Sequence, residues 1–335
     1  MVKKTRIKDI AAACGVSIAA VSRALKGQAG LGDETRQRIL AIAQAEGYDF
    51  GRLRSGKLKR LLFLLHRDHN AASALPFYST VMLGVAESCR ENDIAMSFQP
   101  IGPDDSVAEL IALHQPDALI CAGYLETQTL DQIRKTSLPV ALVDLWAADF
   151  PCVNPDNYHG GFVITRHLIE QGRRKIAFLG HAQHHYSIRQ RLEGYQQALF
   201  EAGISLPKEY QVEMPPVRDI ELALAQGLET LLALPEPPDA IFACNDIAAL
   251  IAMRACLRHG FHIPEDIAIA GFDDIDAAAW AHPPLTTVAV DKRELGRDAF
   301  RLLLNDSAER NLLLPVQLVI RESSCANVMP LRPRT

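Results

Sequence analysis

A chain of 335 residues that is 48% hydrophobic and 22% charged can bury a sizeable core and divides into roughly two or three domains. Its N-terminus, MVKKTRIKDI, has no apolar stretch behind it, and no run approaches the roughly 18 apolar residues of a spanning helix, which speaks against export and membrane insertion and for a cytoplasmic protein. Charge is placed unevenly: residues 1–60 hold 13 Lys and Arg against 5 Asp and Glu, a net of +8, which leaves 22 against 35, a net of −13, for the rest. A basic head on an acidic body points to a polyphosphate partner for the head alone.

In chain order, Ile7, Ile10, Ala11 and Cys14 follow helical spacing, Gly15 interrupts, and Val21 and Leu25 resume the spacing four apart. Ser17 is placed to cap the second of these helices, its hydroxyl accepting from a free amide of the first turn. A third helix, about Asp33 to Glu46, turns Ile39, Leu40, Ile42 and Ala43 toward the other two and ends at Gly47. Residues 1–50 therefore predict a three-helix domain. Residues 51–60, GRLRSGKLKR, carry five basic side chains and too little apolar content to pack alone, and read as a basic linker.

From Leu61 the pattern changes to continuous apolar runs, LLFLL, ALICAG, VALVDLW, KIAFLGH, AIFACND and IAIAGFDD, separated by helical stretches. Those stretches include Val81 to Asn92, Gly161 to Gln171, Leu192 to Ala202 and Ala248 to His259. Apolar strands alternating with helices predict doubly wound parallel sheets, α/β in class, and the number of strands fits a pair of lobes better than one wide sheet. The seven cysteines (Cys14, Cys89, Cys121, Cys152, Cys244, Cys256 and Cys325) form no C-x-x-C pair, as expected of buried thiols in a reducing compartment.

Helix, glycine turn and Ser-capped helix is the order of a helix-turn-helix, whose second helix enters the DNA major groove N-terminus first. Small side chains at Ile18, Ala19 and Ala20 permit a close approach, apolar atoms can meet a thymine methyl, and Arg23 has the reach to pair with guanine. Ser17 and Ser22 are placed for phosphates.

The segment IKDIAAACGVSIAAVSRALKG…DETRQRILAIAQAEGY resembles the DNA-binding head of the LacI/GalR bacterial repressors, and the resemblance continues through PFYSTVMLGV, LPVALVDL, PDNYHGGFVITRHLIEQGRRKIAFLG, SIRQRLEGYQQAL, AIFACNDIAAL, PEDIAIAGFDDID and PPLTTVAVDKRELGRDA. It implies a homodimeric transcriptional repressor on a pseudo-palindromic operator of double-stranded DNA. It also implies a periplasmic-binding-protein-like core over 61–330, with one lobe at about 61–156 and 287–317 and the other at about 157–286 and 318–330. A small-molecule effector, a sugar or sugar derivative, is expected between the lobes. Carried over by motif, Ile18, Ala19 and Arg23 read bases, while Ser17, Ser22, Lys26 and Thr35 hold the DNA backbone. Phe77 or Tyr78, Asp144, Arg189, Asn245 and Asp273 are the effector positions. Carboxylates and an amide suit hydroxyl pairs, an arginine donates a fork, and an aromatic ring covers an apolar sugar face.

This chain departs from the family at the hinge. Tyr48, Asp49, Phe50 and Gly51 stand where family members have Y-x-P-N, and the segment to the first strand is short. Leu53 or Leu58 is the candidate minor-groove wedge, with Arg52, Arg54, Lys57, Lys59 and Arg60 on the backbone. Histidines crowd two loops, HRDHN (66–70) and HAQHHY (181–186), both expected to open on the cleft. They line the effector pocket in this reading, with Arg189 favouring an acidic or phosphorylated sugar, and hold no metal. Neither G-x-G-x-x-G nor G-x-x-x-x-G-K-[ST] occurs, and no nucleophile stands beside a base, so neither a cofactor nor catalysis is expected.

Overall fold

Three short helices close on one small apolar centre in a computed structural model that describes residues 7–25, 31–45, 58–70, 75–181, 185–214, 220–304 and 310–325. Helices α1 (Ile7–Cys14), α2 (Ile18–Leu25) and α3 (Asp33–Ala45) bring together Ile10, Val21, Ile39 and Ala43, all fully buried. Residues three and four apart share one helix face, so each helix turns a single apolar stripe inward. Gly15 breaks the chain between α1 and α2 at φ +63, a conformation that side chains resist. The Ser17 hydroxyl then accepts from the Ala20 amide at 3.1 Å and starts α2.

Beyond Leu58 strands and helices alternate. Strands β1 (Arg60–His66), β2 (Ala95–Ile101), β3 (Ala118–Ala122), β4 (Val140–Val143), β5 (Cys152–Pro155) and the distant β11 (Asn311–Leu314) form one parallel sheet in the order β11-β5-β4-β3-β1-β2. Strands β6 (Ile176–His181), β7 (Gln211–Met214), β8 (Ala240–Ala243) and β9 (Ala268–Ala270) form a second, in the order β7-β6-β8-β9, also parallel. The central strands β3, β4 and β8 are buried along their whole length, as apolar runs covered on both faces must be.

Helices α4 (Leu75–Glu91), α5 (Val107–His114), α6 (Thr127–Arg134) and α7 (Asn157–Glu170) follow β1, β2, β3 and β5 of the first sheet, and α8 (Tyr186–Glu201), α9 (Ile220–Leu232) and α10 (Asp246–Arg258) follow β6, β7 and β8 of the second. A short α11 (Asp276–Trp280) comes next, and α12 (Lys292–Leu304) returns to pack on α4 and β4. Each of α4, α7, α8 and α10 begins earlier than apolar periodicity alone predicts, because its first turn carries polar or aromatic residues. In α4 that turn accommodates Pro76, whose missing amide is one the helix start leaves unpaired anyway. No helix among the described residues is long and apolar enough to cross a membrane.

The chain passes between the sheets three times: at Asp156 between β5 and α7, at 290–291 between β10 (Thr287–Ala289) and α12, and at 315–316 between β11 and β12 (Gln317–Val319). β10 pairs antiparallel with β12 and lies beside β9 through bridges Ala270 to Thr286 and Asp273 to Ala289. All three passages are a few residues long.

Helices α7 and α8 meet through glycines. A Cβ at Gly161 would lie 2.2 Å from the Arg191 carbonyl oxygen, and one at Gly194 would lie 2.1 Å from that of Tyr158. This approach fixes the depth at which α8 delivers its side chains. Gly194→Ala is expected to cost about 1–3 kcal/mol through forced separation of the two helices, read as a lower midpoint in urea. An unchanged midpoint would mean that the helices have room.

Candidate functional site

The basic head presents one face of α2. Val21 is fully buried and Ala24 nearly so, which turns Ser17, Ile18 and Arg23 outward. Ile18 is 58% exposed, an unusual position for a large apolar side chain beside an arginine on so small a domain. Ser22 and Thr35 are half-buried, and Ala19 stands one turn before Arg23. Lys26, Arg52, Leu53, Arg54 and Lys57 lie outside the described residues.

The second site forms where the carboxyl ends of the two sheets face each other, the place that open α/β sheets offer to ligands. On the first sheet Asp144 follows β4 at φ +55, a strained conformation that aims its carboxylate out of the strand line. Its oxygens accept from the Tyr78 hydroxyl at 2.8 Å and, through a short bond, from the Ser187 hydroxyl in the first turn of α8. Burial, with Asp144 next to it, raises the Tyr78 phenol well above its usual range. Beside this pair the His69 ring lies 5.0 Å from Tyr78 and 5.3 Å from His185, and His66 bonds Glu126 at 2.9 Å.

On the second sheet Asp273 follows β9 at φ +109 and accepts from Arg191 Nη2 at 3.1 Å. Arg191 is 4% exposed and fully engaged: Nε donates to Asn157 Oδ1 at 2.8 Å, Nη1 donates to the Cys244 carbonyl at 2.6 Å, and the guanidinium lies 3.7 Å over the Phe272 ring. Lys292 Nζ donates to the carbonyls of Asp273 and Asp274. Burial lifts the Asp273 carboxyl to about 6, against the pull of Arg191 and Lys292. Behind it, Asp246 accepts from the Thr287 hydroxyl at 2.5 Å and the Ile275 amide at 2.9 Å, and burial, helped by Asp273, pushes its carboxyl up to about 8.

Three of the expected effector positions hold other contacts in the structure. Arg189 stays on the outer face of α8, 3.9 Å from Glu193 and 5.9 Å from the Tyr186 ring centre, because two residues along a helix rotate a side chain to the far side; Arg191 is the arginine that enters. Phe77 is packed into the core of the first lobe, edge-on to Tyr78, so Tyr78 alone of the pair reaches Asp144. Asn245 spends its side-chain oxygen on the Ala248 amide at 2.9 Å, capping α10, and the inward carboxylate is that of Asp246. Ser187 and Arg191 are site residues that sequence reasoning does not single out, while His69 and His185 come from the two histidine loops. Among the described residues no three His, Cys, Asp or Glu are grouped to hold a metal ion.

Residues 6–49 match the family described as bacterial regulatory proteins, lacI family, and residues 165–324 match the periplasmic binding protein-like domain. The ribose operon repressor of Haemophilus influenzae is 30% identical over 333 residues, covering 95% of this chain and 98% of that protein. The HTH-type transcriptional repressor CytR of Escherichia coli is 29% identical over 338 residues, covering 96% of each. Among solved structures, the complex of the transcriptional regulator CelR with cellobiose superposes with a TM-score of 0.71 at 26% identity, covering 96% of this chain and 100% of that one. Matched along nearly its whole length to such relatives, the chain belongs to the lacI family of bacterial regulatory proteins and is a DNA-binding transcriptional regulator.

Proposed function

We propose that this regulator is a homodimeric repressor whose α2 helices read two half-sites of a pseudo-palindromic operator, and whose cleft takes a sugar or sugar derivative as effector. The observation that carries the first part is the exposure of both Ile18 and Arg23 on a serine-capped helix, on the net-positive end of an acidic chain. Ile18 and Ala19 meet thymine methyls, Arg23 pairs with a guanine edge, and Ser17, Ser22, Thr35 and Lys26 contact phosphates. Arg52, Leu53, Arg54 and Lys57 add contacts from the hinge. Two-fold symmetry sets the half-sites about one helical turn, ~34 Å, apart.

The effector reading is supported by the cleft chemistry. Asp144, bonded by Tyr78, on one lobe and Asp273, held by Arg191, on the other are carboxylates suited to accept from hydroxyl groups. A ligand that fits one lobe arrangement better than another shifts the spacing of the two heads, and only that difference in affinity does so. The relatives are repressors, and turnover plays no part in this reading.

Selection of bound sites from random DNA, with and without a panel of sugars, tests it. A two-fold symmetric consensus whose affinity responds to at least one sugar is expected; uniform, salt-suppressed binding to all duplexes would overturn it. Arg23→Ala is expected to cost about 1–3 kcal/mol on the selected site and to relax one base preference, measured by competition against single-base variants. An equal loss on every sequence would make Arg23 a phosphate contact.

A further inference from the structure

Three consecutive residues at the start of α8 each touch the opposite lobe. The His185 ring stands edge-on to His69 with centres 5.3 Å apart, Tyr186 stacks on Trp146 at 6.4 Å and 22°, and the Ser187 hydroxyl donates to Asp144. His69 follows β1 while Asp144 and Trp146 follow β4, all on the first sheet, whereas α8 follows β6 of the second.

The partners on the first lobe are already fixed. The Tyr124 amide donates to His69 Nε2 at 3.2 Å, and the ring lies over Gly123, where a Cβ would come within 2.4 Å of His69. Asp144 is 4% exposed, and a carboxylate so buried requires donors. Tyr78 supplies one from its own lobe and Ser187 supplies the other from across the cleft, while His185 Nε2 stands 3.9 Å away.

We propose that His185, Tyr186 and Ser187 form a clip that holds the cleft shut without effector, the Ser187 hydroxyl standing at Asp144 where an effector hydroxyl binds. The proposal rests on the reading of this cleft as the effector site but not on the identity of any ligand. An effector enters by displacing Ser187 from Asp144 and therefore brings a donor of its own, a hydroxyl or an amine. Release of the clip and occupation of Asp144 are then a single event.

The chain has two tryptophans, Trp146 and Trp280, and Trp280 is 84% exposed, so Trp280→Phe leaves Trp146 as the sole reporter in an otherwise intact protein. Acrylamide quenching of Trp146 is then measured in full-length protein with no ligand added. Tyr186 stands offset against one side of the indole, so Ser187→Ala, alone or with His185→Ala, is expected to raise the quenching constant to the level of a Tyr186→Ala reference. Quenching unchanged by Ser187→Ala at an unchanged melting midpoint overturns the clip. So does a parent protein already as quenchable as the Tyr186→Ala reference, a comparison that requires no Ser187 variant to fold. Because no ligand takes part, either failure leaves the effector reading standing.

Discussion

Arg191→Ala is expected to destabilise the protein by about 3–5 kcal/mol, the range for breaking a buried ion pair by removing one partner. The loss has three sources. Asp273 is left as a buried carboxylate, and Asn157 Oδ1 and the Cys244 carbonyl lose their donors at 2.8 and 2.6 Å. Asp273 already sits at about 6 with Arg191 holding it down, so removing the guanidinium sends it higher and the group takes up a proton near neutrality. Adding Asp273→Asn to the variant is therefore expected to recover part of the loss, a coupling that urea unfolding of the four proteins of the cycle measures. Arg191→Lys is not expected to rescue, since one ammonium cannot meet three acceptors fixed in a planar fork. A loss below about 1 kcal/mol for Arg191→Ala would show that water fills the site and satisfies these groups.

Asp246→Asn is expected to be nearly silent near pH 3 and to stabilise the protein at pH 9. The carboxyl of Asp246 is pushed from its ordinary 3.8 to about 8 in the folded chain, so the folded state holds this proton and the unfolded state releases it. Stability contributed by the proton is complete below about pH 4, declines as pH rises, and is gone above about pH 8. A tenfold difference in proton affinity between the folded and unfolded chain corresponds to about 1.4 kcal/mol, which places the gap between wild type and variant at pH 9 on the order of several kcal/mol. Asparagine matches the protonated acid in shape, accepts from the Ile275 amide and donates to the Thr287 hydroxyl, so both bonds survive. Thermal melts of the two proteins across pH 3–9 should converge at the acid end and separate at the alkaline end. Parallel curves would mean that Asp246 is charged in the fold at neutral pH.

The alternation of apolar runs and helices was legible because buried parallel strands admit little besides apolar residues, as β1, β3, β4, β6, β8 and β9 show. Strand β2 carries Ser97, Gln99 and Pro100, a composition that only a sheet edge tolerates, and it gave no such signal. The head was legible from Gly15, Ser17 and the spacing around Val21. Asp144 and Asp273 were legible as candidates because each follows a strand. Arg191 was missed because a charged residue on a helix is ordinarily taken to face water. Its neighbours Leu192, Tyr195 and Leu199 mark the buried stripe, and Arg191 lies one turn before Tyr195 on that stripe while Arg189 does not. Contacts across the cleft, such as Ser187 with Asp144, depend on how two lobes meet, which no local pattern encodes.

Three short passages join the sheets, and three tethers side by side restrain motion far more than one does. A single strand permits swivelling in any direction; three forbid sliding and leave essentially one axis about which the halves can turn. The cleft lies at the carboxyl ends of the strands, whereas β1 is entered from the head at its opposite end, about 20 Å away for a seven-residue strand. Small displacements between the lobes are thereby converted into a swing of the point from which the head is suspended. The geometry makes the body a lever with its fulcrum at the passages and its load on the DNA side.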